Sequence, residues 1–324
     1  MNRLASVLWA FSLVCAGSTN LAQAQDYPSH PIKFILPQPA GGAVDLIART
    51  LGEPFSEQMK QPVVVENRPG ANGGLAANDV ARSTPDGYTL FVAVDTNLVV
   101  NPSLYPDLPY DPFRDFAPIS ALARLPLVLV ANPQVPANNV GELISYAKAN
   151  PGKLNYASIG LGTQQHLGME LFKLITKTDI NQVEYRGTAA AMTDVIAGHV
   201  DIMFTGTPSA KGMSEGGKLK LLAVTSKTRS ALLPDVPTVE ESGVPGFTLS
   251  GWFGILAPTK TPKPILDRLT DEVRKATADP RFIQKMNVQG LDVIGSTPAE
   301  MLALMQSDTK KWADVIRLTG VKIQ

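Results

Sequence analysis

The sequence predicts an α/β protein of two lobes joined by crossing strands. In the N-terminal third, short apolar runs alternate with segments of helical period. This β-α-β-α-β order with short turns indicates a parallel sheet flanked by helices. A long apolar run at 119–130, interrupted by Arg124 and Pro126, is interpreted as a crossover into a second lobe. The length of 324 residues also suggests about two domains.

The composition is that of an ordinary globular protein without net charge. Apolar residues make up 44% of the chain and charged residues 18%. The 29 Lys and Arg balance the 29 Asp and Glu, which argues against a nucleic-acid partner or an anionic-membrane surface. A small anionic ligand needs only a local field, so it stays possible. A monomer is expected.

Residues 1–24 are predicted to be a signal peptide that is cleaved after Ala24. Arg3 is the only charge in this stretch, and residues 4–16 are apolar. This apolar run is shorter than the about 18 residues of a membrane anchor, and no later segment is long enough, so the protein is not expected to be membrane-embedded. Cys15 is the only cysteine, so the mature chain has none. The expected compartment is the bacterial periplasm.

The first lobe opens on a strand, a glycine turn and a helix. The strand at 32–36 ends at Pro37, and Gly41 and Gly42 leave the next turn bare of side chains. Apolar residues then recur at helical spacing from Val44. The first amides of a helix lack partners at the positive end of its dipole, so such a turn can bind an anion. An ordinary connection between strand and helix is the alternative.

The first lobe continues with two more strands, predicted at 63–66 and 88–94, and a helix at 75–82. Three polar residues follow the carboxyl end of the last strand: Asp95, Thr96 and Asn97. Ligands of open α/β sheets bind at this edge. The stretch 101–116 is rich in Pro, Asp and Tyr and is expected to be a loop.

The second lobe repeats the sequence of strand, glycine turn and helix. A helix at 140–149 precedes a strand at 154–157, and a glycine-rich turn at 158–163 leads into a helix at 164–177. Thr163 or Ser158 is expected to cap that helix. Two such turns on separate lobes, each with free amides, would hold both ends of one small anion.

The remaining elements are predicted from apolar runs and turn residues. Strands are expected at 183–185, 201–204, 219–224 and 251–257, the last crossing back to the first lobe. Thr205-Gly206-Thr207 is expected to be a loop beyond the second of these strands. The C-terminal part is expected to be helical, with a capping box at Thr297-Pro298-Ala299-Glu300.

Several segments together resemble a known family. They are 39–45 (PAGGAVD), 63–71 (VVVENRPGA), 85–90 (PDGYTL), 101–105 (NPSLY), 108–116 (LPYDPFRDF), 233–243 (LPDVPTVEESG) and 252–258 (WFGILAP). The chain is similar to the Bug-type periplasmic receptors of tripartite tricarboxylate transporters. The resemblance implies a two-lobed Venus-flytrap fold, type II-like, with a hinge between two α/β domains and no chemistry or cofactor of its own. Such a receptor delivers a small carboxylate to the membrane subunits of a transporter.

The resemblance also implies lobe boundaries and a ligand site. Lobe 1 would comprise 25–126 plus 251–324, and lobe 2 would comprise 127–250, with hinges near 124–128 and 249–255. Carboxylates would be held by turn amides and bridging waters. The expected site residues are Pro39, Ala40, Gly41, Gly42, Asp45, Asp95, Thr96, Asn97, Ser158, Gly160, Gly162, Thr163, His166, Arg186, Thr188, Thr205, Gly206 and Thr207. Relatives often carry an Asp where Thr205-Gly206-Thr207 stands here, which favours a di- or monocarboxylate, aromatic ones included, over an amino acid. The ligand class expected overall is a di-, tri- or aromatic carboxylate.

Four of these side chains each allow two interpretations. Asp45 either orients the first turn or caps the helix, and Asp95 either meets a ligand or forms a turn. His166 either donates to a carboxylate or is structural. Arg186 either pairs with a carboxylate or lies in a hinge or a surface salt bridge.

Other functions have less support in the sequence. A Gly-x-Ser-x-Gly elbow is absent, the three histidines lack metal-ligand spacing, and the Gly-x-x-x-x-Gly-Lys match at 212–218 lacks both a following Ser or Thr and a preceding strand. An exported enzyme is therefore not expected. A periplasmic sensor that presents its liganded form to a membrane signalling partner remains an alternative. Trp252 and Phe253 are expected to pack in the core or hinge.

Overall fold

The computed structural model describes residues 27–321, so the predicted signal peptide and Cys15 lie outside the described residues. The strands are β1 (Ile32–Leu36), β2 (Val63–Asn67), β3 (Thr89–Val94), β4 (Phe116–Ala131), β5 (Asn155–Ser158), β6 (Asn181–Glu184), β7 (Ile202–Gly206), β8 (Lys220–Val224), β9 (Ser250–Pro258) and β10 (Asp292–Val293). The helices are α1 (Ala43–Met59), α2 (Gly74–Ala81), α3 (Asn101–Leu104), α4 (Val140–Ala149), α5 (Gln164–Thr176), α6 (Thr188–Ala197), α7 (Thr207–Glu215), α8 (Lys263–Thr277), α9 (Pro280–Val288) and α10 (Pro298–Thr319).

Two sheets share the long strand β4. In the first sheet, β1 pairs in parallel with β2 and β3, and β9 runs antiparallel between β3 and β4. In the second sheet, β5 pairs in parallel with β6 and β7, while β7 and β8 run antiparallel to β4. Both sheets are therefore mixed. The parallel pairing expected of the first three strands is confirmed, and the antiparallel pairs involve β9 and β4.

β4 changes partners part-way along its length. Residues up to Pro126 pair with β9, and residues from Leu127 onward pair with β7 and β8. The interruption by Arg124 and Pro126 does not end the strand, because both residues keep partners on β9. The exchange of partners falls inside the segment predicted to cross between lobes.

Buried apolar residues form three clusters between the helices and the sheets, and the largest of them joins the two sheets. One cluster of buried residues runs from Phe91 and Phe116 beside the first sheet to Phe172 and Phe204 beside the second. The C-terminal helix α10 packs against both β4 and α5. No helix within residues 27–321 combines the length and apolarity needed to cross a membrane.

Several predicted elements are confirmed with their bounds. β1 and α4 have the predicted limits. The capping box that opens α10 is present, with Thr297 N donating to Glu300 Oε2 at 2.8 Å and Glu300 N donating to Thr297 Oγ1 at 3.2 Å. These elements have strong local signals, a capping pair or a long apolar period, that fix them.

Other predictions are wrong. Thr205 and Gly206 extend β7, because they pair with Val128 and Leu127 of β4, and Thr207 begins α7 with Pro208 in its first turn. The segment after Asp95 is a π-helical turn (Thr96–Val100) that continues into α3, so 101–116 is only partly a loop. The helix α7 and the two-residue strand β10 were not expected.

Candidate ligand-binding cleft

A cavity of about 210 Å³ lies between the two sheets. Its lining comes from the first helical turns of α1 and α5, from β3, β4 and β9, and from adjoining turns and loops: Gln38, Ala43, Asn72, Val94, Thr96, Leu125, Ile159, Gly162, Thr163, Gln164, Gln165, Gly251 and Phe253. None of these described residues carries a charge. A larger cavity of about 430 Å³ adjoins the first turn. Its lining comes from that turn, from α1 and from the residues between α9 and β10: Gly41, Gly42, Ala43, Asp45, Leu46, Arg49, Gln289 and Leu291.

The first glycine turn is braced from inside. Gly41 has a φ of +88°, and its N–H donates to Asp45 Oδ2 at 3.1 Å. Asp45 also accepts from the Arg49 guanidinium at 2.9 Å and from Asn67 Nδ2 at 3.1 Å. These bonds, that of Arg49 above all, hold the pKa of Asp45 below its ordinary value. Asp45 therefore orients the turn. The N-cap position is Gly42, which has no side chain to cap the helix.

The second glycine turn is braced at the same spacing. Gly162 has a φ of +73°, and its N–H donates to His166 Nδ1 at 3.1 Å. Thr163, not Ser158, caps α5: its Oγ1 accepts from His166 N at 3.4 Å and donates to Gly160 O at 2.7 Å. The amides of Gly41 and Gly162 are thus occupied, so these two are not among the free amides expected in the turns.

His166 serves the turn as a neutral imidazole. Because Nδ1 accepts the Gly162 N–H, the ring proton of the neutral form lies on Nε2. Burial lowers the pKa of this imidazole, which favours the neutral form that the bond requires. The contacts give His166 a structural part in the turn.

The N–H groups without a partner inside the helices belong to the residues that directly follow the two N-caps, Gly42 and Thr163. The series begins at Leu46 N to Gly42 O in α1 and at Leu167 N to Thr163 O in α5. The N–H groups of Ala43, Gln164 and Gln165 come before these bonds, and all three residues line the cavity. The positive ends of two helix dipoles therefore meet at one uncharged cavity.

The residues after β3 divide between the cavity and the core. Thr96 lines the cavity. Asn97 accepts from Val94 N at 3.2 Å and donates to Asn72 O at 2.8 Å, so it fixes the local backbone. Asp95 is buried and accepts from Thr96 N at 2.7 Å and from Gln164 Nε2 at 2.8 Å. Burial, together with the Asp308 carboxylate, raises the pKa of Asp95 to about 7.

The other predicted site residues lie away from the cavity lining. Arg186 and Thr188 are exposed, and Arg186 forms no ion pair within residues 27–321. Ser158 Oγ accepts from Gln182 Nε2 at 2.7 Å, and Thr207 Oγ1 donates to Pro126 O at 3.3 Å. The rest stand in the turns or in β7, outside the lining: Pro39, Ala40, Gly160, Thr205 and Gly206.

Sequence reasoning missed most of the lining. Phe253 lines the cavity, whereas its neighbour Trp252 is buried in the core and donates to Asp308 Oδ2 at 2.9 Å. Alternation along a strand was the available signal, since successive side chains point to opposite faces. For Ala43 and Gln164 the signal was their place directly after the predicted cap positions, where helical amides are unpaired.

Comparisons with known proteins identify the family of this chain. A family described as "Tripartite tricarboxylate transporter family receptor" (TctC) matches residues 47–321. Protein BugT of Bordetella pertussis is 36% identical over 325 residues, which cover 100% of this chain and 99% of BugT.

Solved structures give the same result. R. palustris Rpa4515, solved with adipate, has a TM-score of 0.79 at 33% identity and covers 92% of this chain and 99% of its own. MatC from Rhodopseudomonas palustris, solved with bound malate, has a TM-score of 0.74 at 31% identity and covers 90% of this chain and 100% of its own. The fold is thus the mixed α/β fold of periplasmic binding proteins. The chain belongs to the tripartite tricarboxylate transporter receptor (TctC) family, a family of periplasmic solute-binding proteins and not of enzymes.

Proposed function

We propose that the protein captures a small di-, tri- or aromatic carboxylate in the cavity between its sheets and delivers it to the membrane subunits of a tripartite tricarboxylate transporter. The observation that carries this proposal is the meeting of the first turns of α1 and α5 at one cavity whose lining has no charged side chain. Two positive helix ends favour an anion there without a counter-ion. Relatives solved with adipate and malate support the ligand class.

The proposed ligand contacts follow the lining. The N–H groups of Ala43, Gln164 and Gln165 would donate to carboxylate oxygens, and the Thr96 and Thr163 hydroxyls would add further hydrogen bonds. Apolar side chains, among them Ile159, Val94 and Phe253, would contact the body of the ligand. The volume of about 210 Å³ is below the roughly 300–1,000 Å³ of pockets for drug-sized ligands and suits a small metabolite.

The proposed lobes are 25–126 plus 251–324 and 127–250. The exchange of β4 partners between Pro126 and Leu127 and the start of β9 at Ser250 support these boundaries. Closure would be a hinge motion at these two crossings. Export with cleavage after Ala24, and action as a monomer, belong to the same proposal.

Calorimetry and thermal shift against a panel of carboxylates test the ligand class. The panel contains adipate, malate, citrate and phthalate, with adipamide as an uncharged control of the same length as adipate. At a hundredfold excess over its Kd, a true ligand should stabilise the protein by about 2.7 kcal/mol. Adipamide should give no shift, because it lacks the negative charge that the helix ends attract. Equal binding of adipate and adipamide, or no binding of any carboxylate, would contradict the proposal.

A further inference from the structure

We infer that the side chains of Asp95 and Gln164 form a clasp across the cleft, which holds the receptor closed over its ligand and couples closure to the uptake of a proton. This inference rests on the proposed function, because it concerns the same cleft. It adds a regulatory device that neither the turns nor the cavity lining explains.

The clasp joins the two sheets directly. Asp95 follows β3 of the first sheet, and Gln164 is the first residue of α5, which packs beside the second. Gln164 Nε2 donates to Asp95 Oδ2 at 2.8 Å. These side chains come from segments 69 residues apart in the chain, so the bond exists only while the two halves are close.

Gly251 leaves the space that the Gln164 side chain occupies. A Cβ at position 251 would collide with the amide group of Gln164. The φ of Gly251 is not positive. A glycine is therefore needed here because it lacks a side chain, and not because of its backbone freedom. Because Gly251 lies at the start of β9, the clasp also rests on one of the two crossing strands.

Gln164 connects the clasp to the ligand. Its backbone N–H precedes the hydrogen-bond series of α5 and is one of the proposed carboxylate donors, while its side chain reaches the opposite half of the molecule. A ligand that fixes the first turn of α5 therefore also fixes the residue that holds Asp95. Opening would have to break this bond.

The surroundings of Asp95 make the clasp sensitive to protons. Asp95 is 2% exposed, and the charged groups that act on it are Asp308 and Lys311, both on α10. Asp308 accepts from Trp252 of β9 at 2.9 Å and pairs with Lys311 at 3.2 Å. α5 presents the neutral Gln164. Burial and the like charge of Asp308 raise the pKa of Asp95 to about 7, and they outweigh the hydrogen bonds from Thr96 N and Gln164 Nε2 and the charge of Lys311, which lower it.

The direction of the pH dependence follows from the burial of Asp95, which differs between the closed and the open form. Parting of the halves would admit water to Asp95 and return its pKa toward the ordinary value near 3.9. The closed form therefore binds the proton more tightly, so closure takes up a proton near neutral pH. Closure is favoured at low pH and is progressively lost as the pH rises through about 7.

Calorimetry of adipate binding at pH 6 and pH 8 tests the coupling. With a closed-state pKa of about 7, the Kd of the unmodified protein should rise about tenfold between these pH values. In two buffers of different ionisation enthalpy at pH 7, binding should take up about half a proton per ligand. Asp95→Asn keeps an acceptor for Gln164 but cannot titrate, so its affinity should be independent of pH and its proton uptake absent.

Two further variants separate the clasp from general effects of charge. Gln164→Ala keeps the backbone amide but removes the clasp, and it should speed ligand release. Since the Gln164 hydrogen bond lowers the pKa of Asp95, its loss should also move the pH-dependent change in affinity to higher pH. Asp79→Asn removes an exposed carboxylate on α2 that pairs with Arg68, and it should keep the tenfold change. A pH-independent Kd of the unmodified protein, or a tenfold change retained in Asp95→Asn, would overturn the inference.

Urea unfolding without added ligand keeps the clasp testable if no panel member binds, an outcome that by itself removes only the proposed function. Since the folded-state pKa of Asp95 is raised, its stabilising contribution is present at low pH and is lost as the pH rises through about 7. The unmodified protein should therefore lose stability relative to Asp95→Asn between pH 6 and pH 8. Parallel profiles for the two proteins would overturn the clasp.

Discussion

At the scale of single residues, the same kind of hydrogen bond stabilises both glycine turns. Gly41 N–H donates to the side chain four residues later, Asp45, and Gly162 N–H donates to the side chain four residues later, His166. The sequence placed all four residues at the turns. It did not show which way the two side chains point, because a carboxylate or an imidazole at this spacing can face either a ligand or its own backbone.

His166 provides a prediction at this scale. His166→Leu leaves the buried N–H of Gly162 without an acceptor, which should lower the free energy of unfolding by about 1–3 kcal/mol. His166→Asn can place an oxygen near the position of Nδ1 and should lose less. Urea denaturation at pH 7.5 measures the difference.

The control and the pH dependence sharpen this prediction. His199→Ala changes an exposed histidine and should stay within about 0.5 kcal/mol of the unmodified protein. Because burial lowers the pKa of His166, its contribution is present above its ordinary pKa and is lost as the pH falls. Equal stability of the Leu and Asn variants would show that the bond to Gly162 N–H is unimportant.

At the scale of elements, local signals were sufficient where they were strong. The Thr297–Glu300 capping box fixed the start of α10. By contrast, Thr205-Gly206 has the composition of a loop, yet it extends β7 because β4 offers paired backbone groups at Leu127 and Val128. Pairing with a strand some 80 residues away in the chain is invisible in local composition.

The first turn of α1 supplies a prediction about an element. Ala43→Pro removes one N–H while its fixed φ suits the first helical position, and Gly42 before it is extended, as a residue before proline must be. Loss of one charge-assisted bond, about 1.5–3 kcal/mol, should weaken binding of a panel carboxylate about 10- to 100-fold.

Ala43→Ser is the matched control, since it keeps the N–H and adds only a small side chain. Its affinity should remain close to that of the unmodified protein. Calorimetry measures both variants, and circular dichroism checks that the helix content is unchanged. Unaltered affinity of the Pro variant would exclude the Ala43 amide from the site.

At the scale of the whole molecule, the crossing between lobes stays a prediction, and the hydrogen bonds that join its strands were not predicted. Thr225 is fully buried and ties the crossing strands together. Its Oγ1 accepts from Leu127 N at 2.9 Å and lies 3.0 Å from Leu127 O, and its carbonyl accepts from Leu249 N at 2.8 Å. A single Thr after a strand carries no sequence signal of this role, because the three partners meet only in the fold.

Thr225→Val tests this fastening. The substitution keeps the shape but leaves the buried Leu127 N–H without an acceptor, so the free energy of unfolding should fall by about 1–3 kcal/mol. Thr225→Ser retains the hydroxyl and should lose less. Urea unfolding compares the two variants, and identical losses would contradict a stabilising role of the hydroxyl.

The strand β4 has one more consequence, for how the transporter senses its cargo. Because one uninterrupted ribbon of backbone serves both sheets and β9 lies beside it, the halves cannot slide past each other without breaking ladder bonds. The hinge motion proposed above would then be a twist about a single axis. A membrane subunit that touches both halves would then read occupancy as one angle, filled or empty, whatever the chemical identity of the cargo.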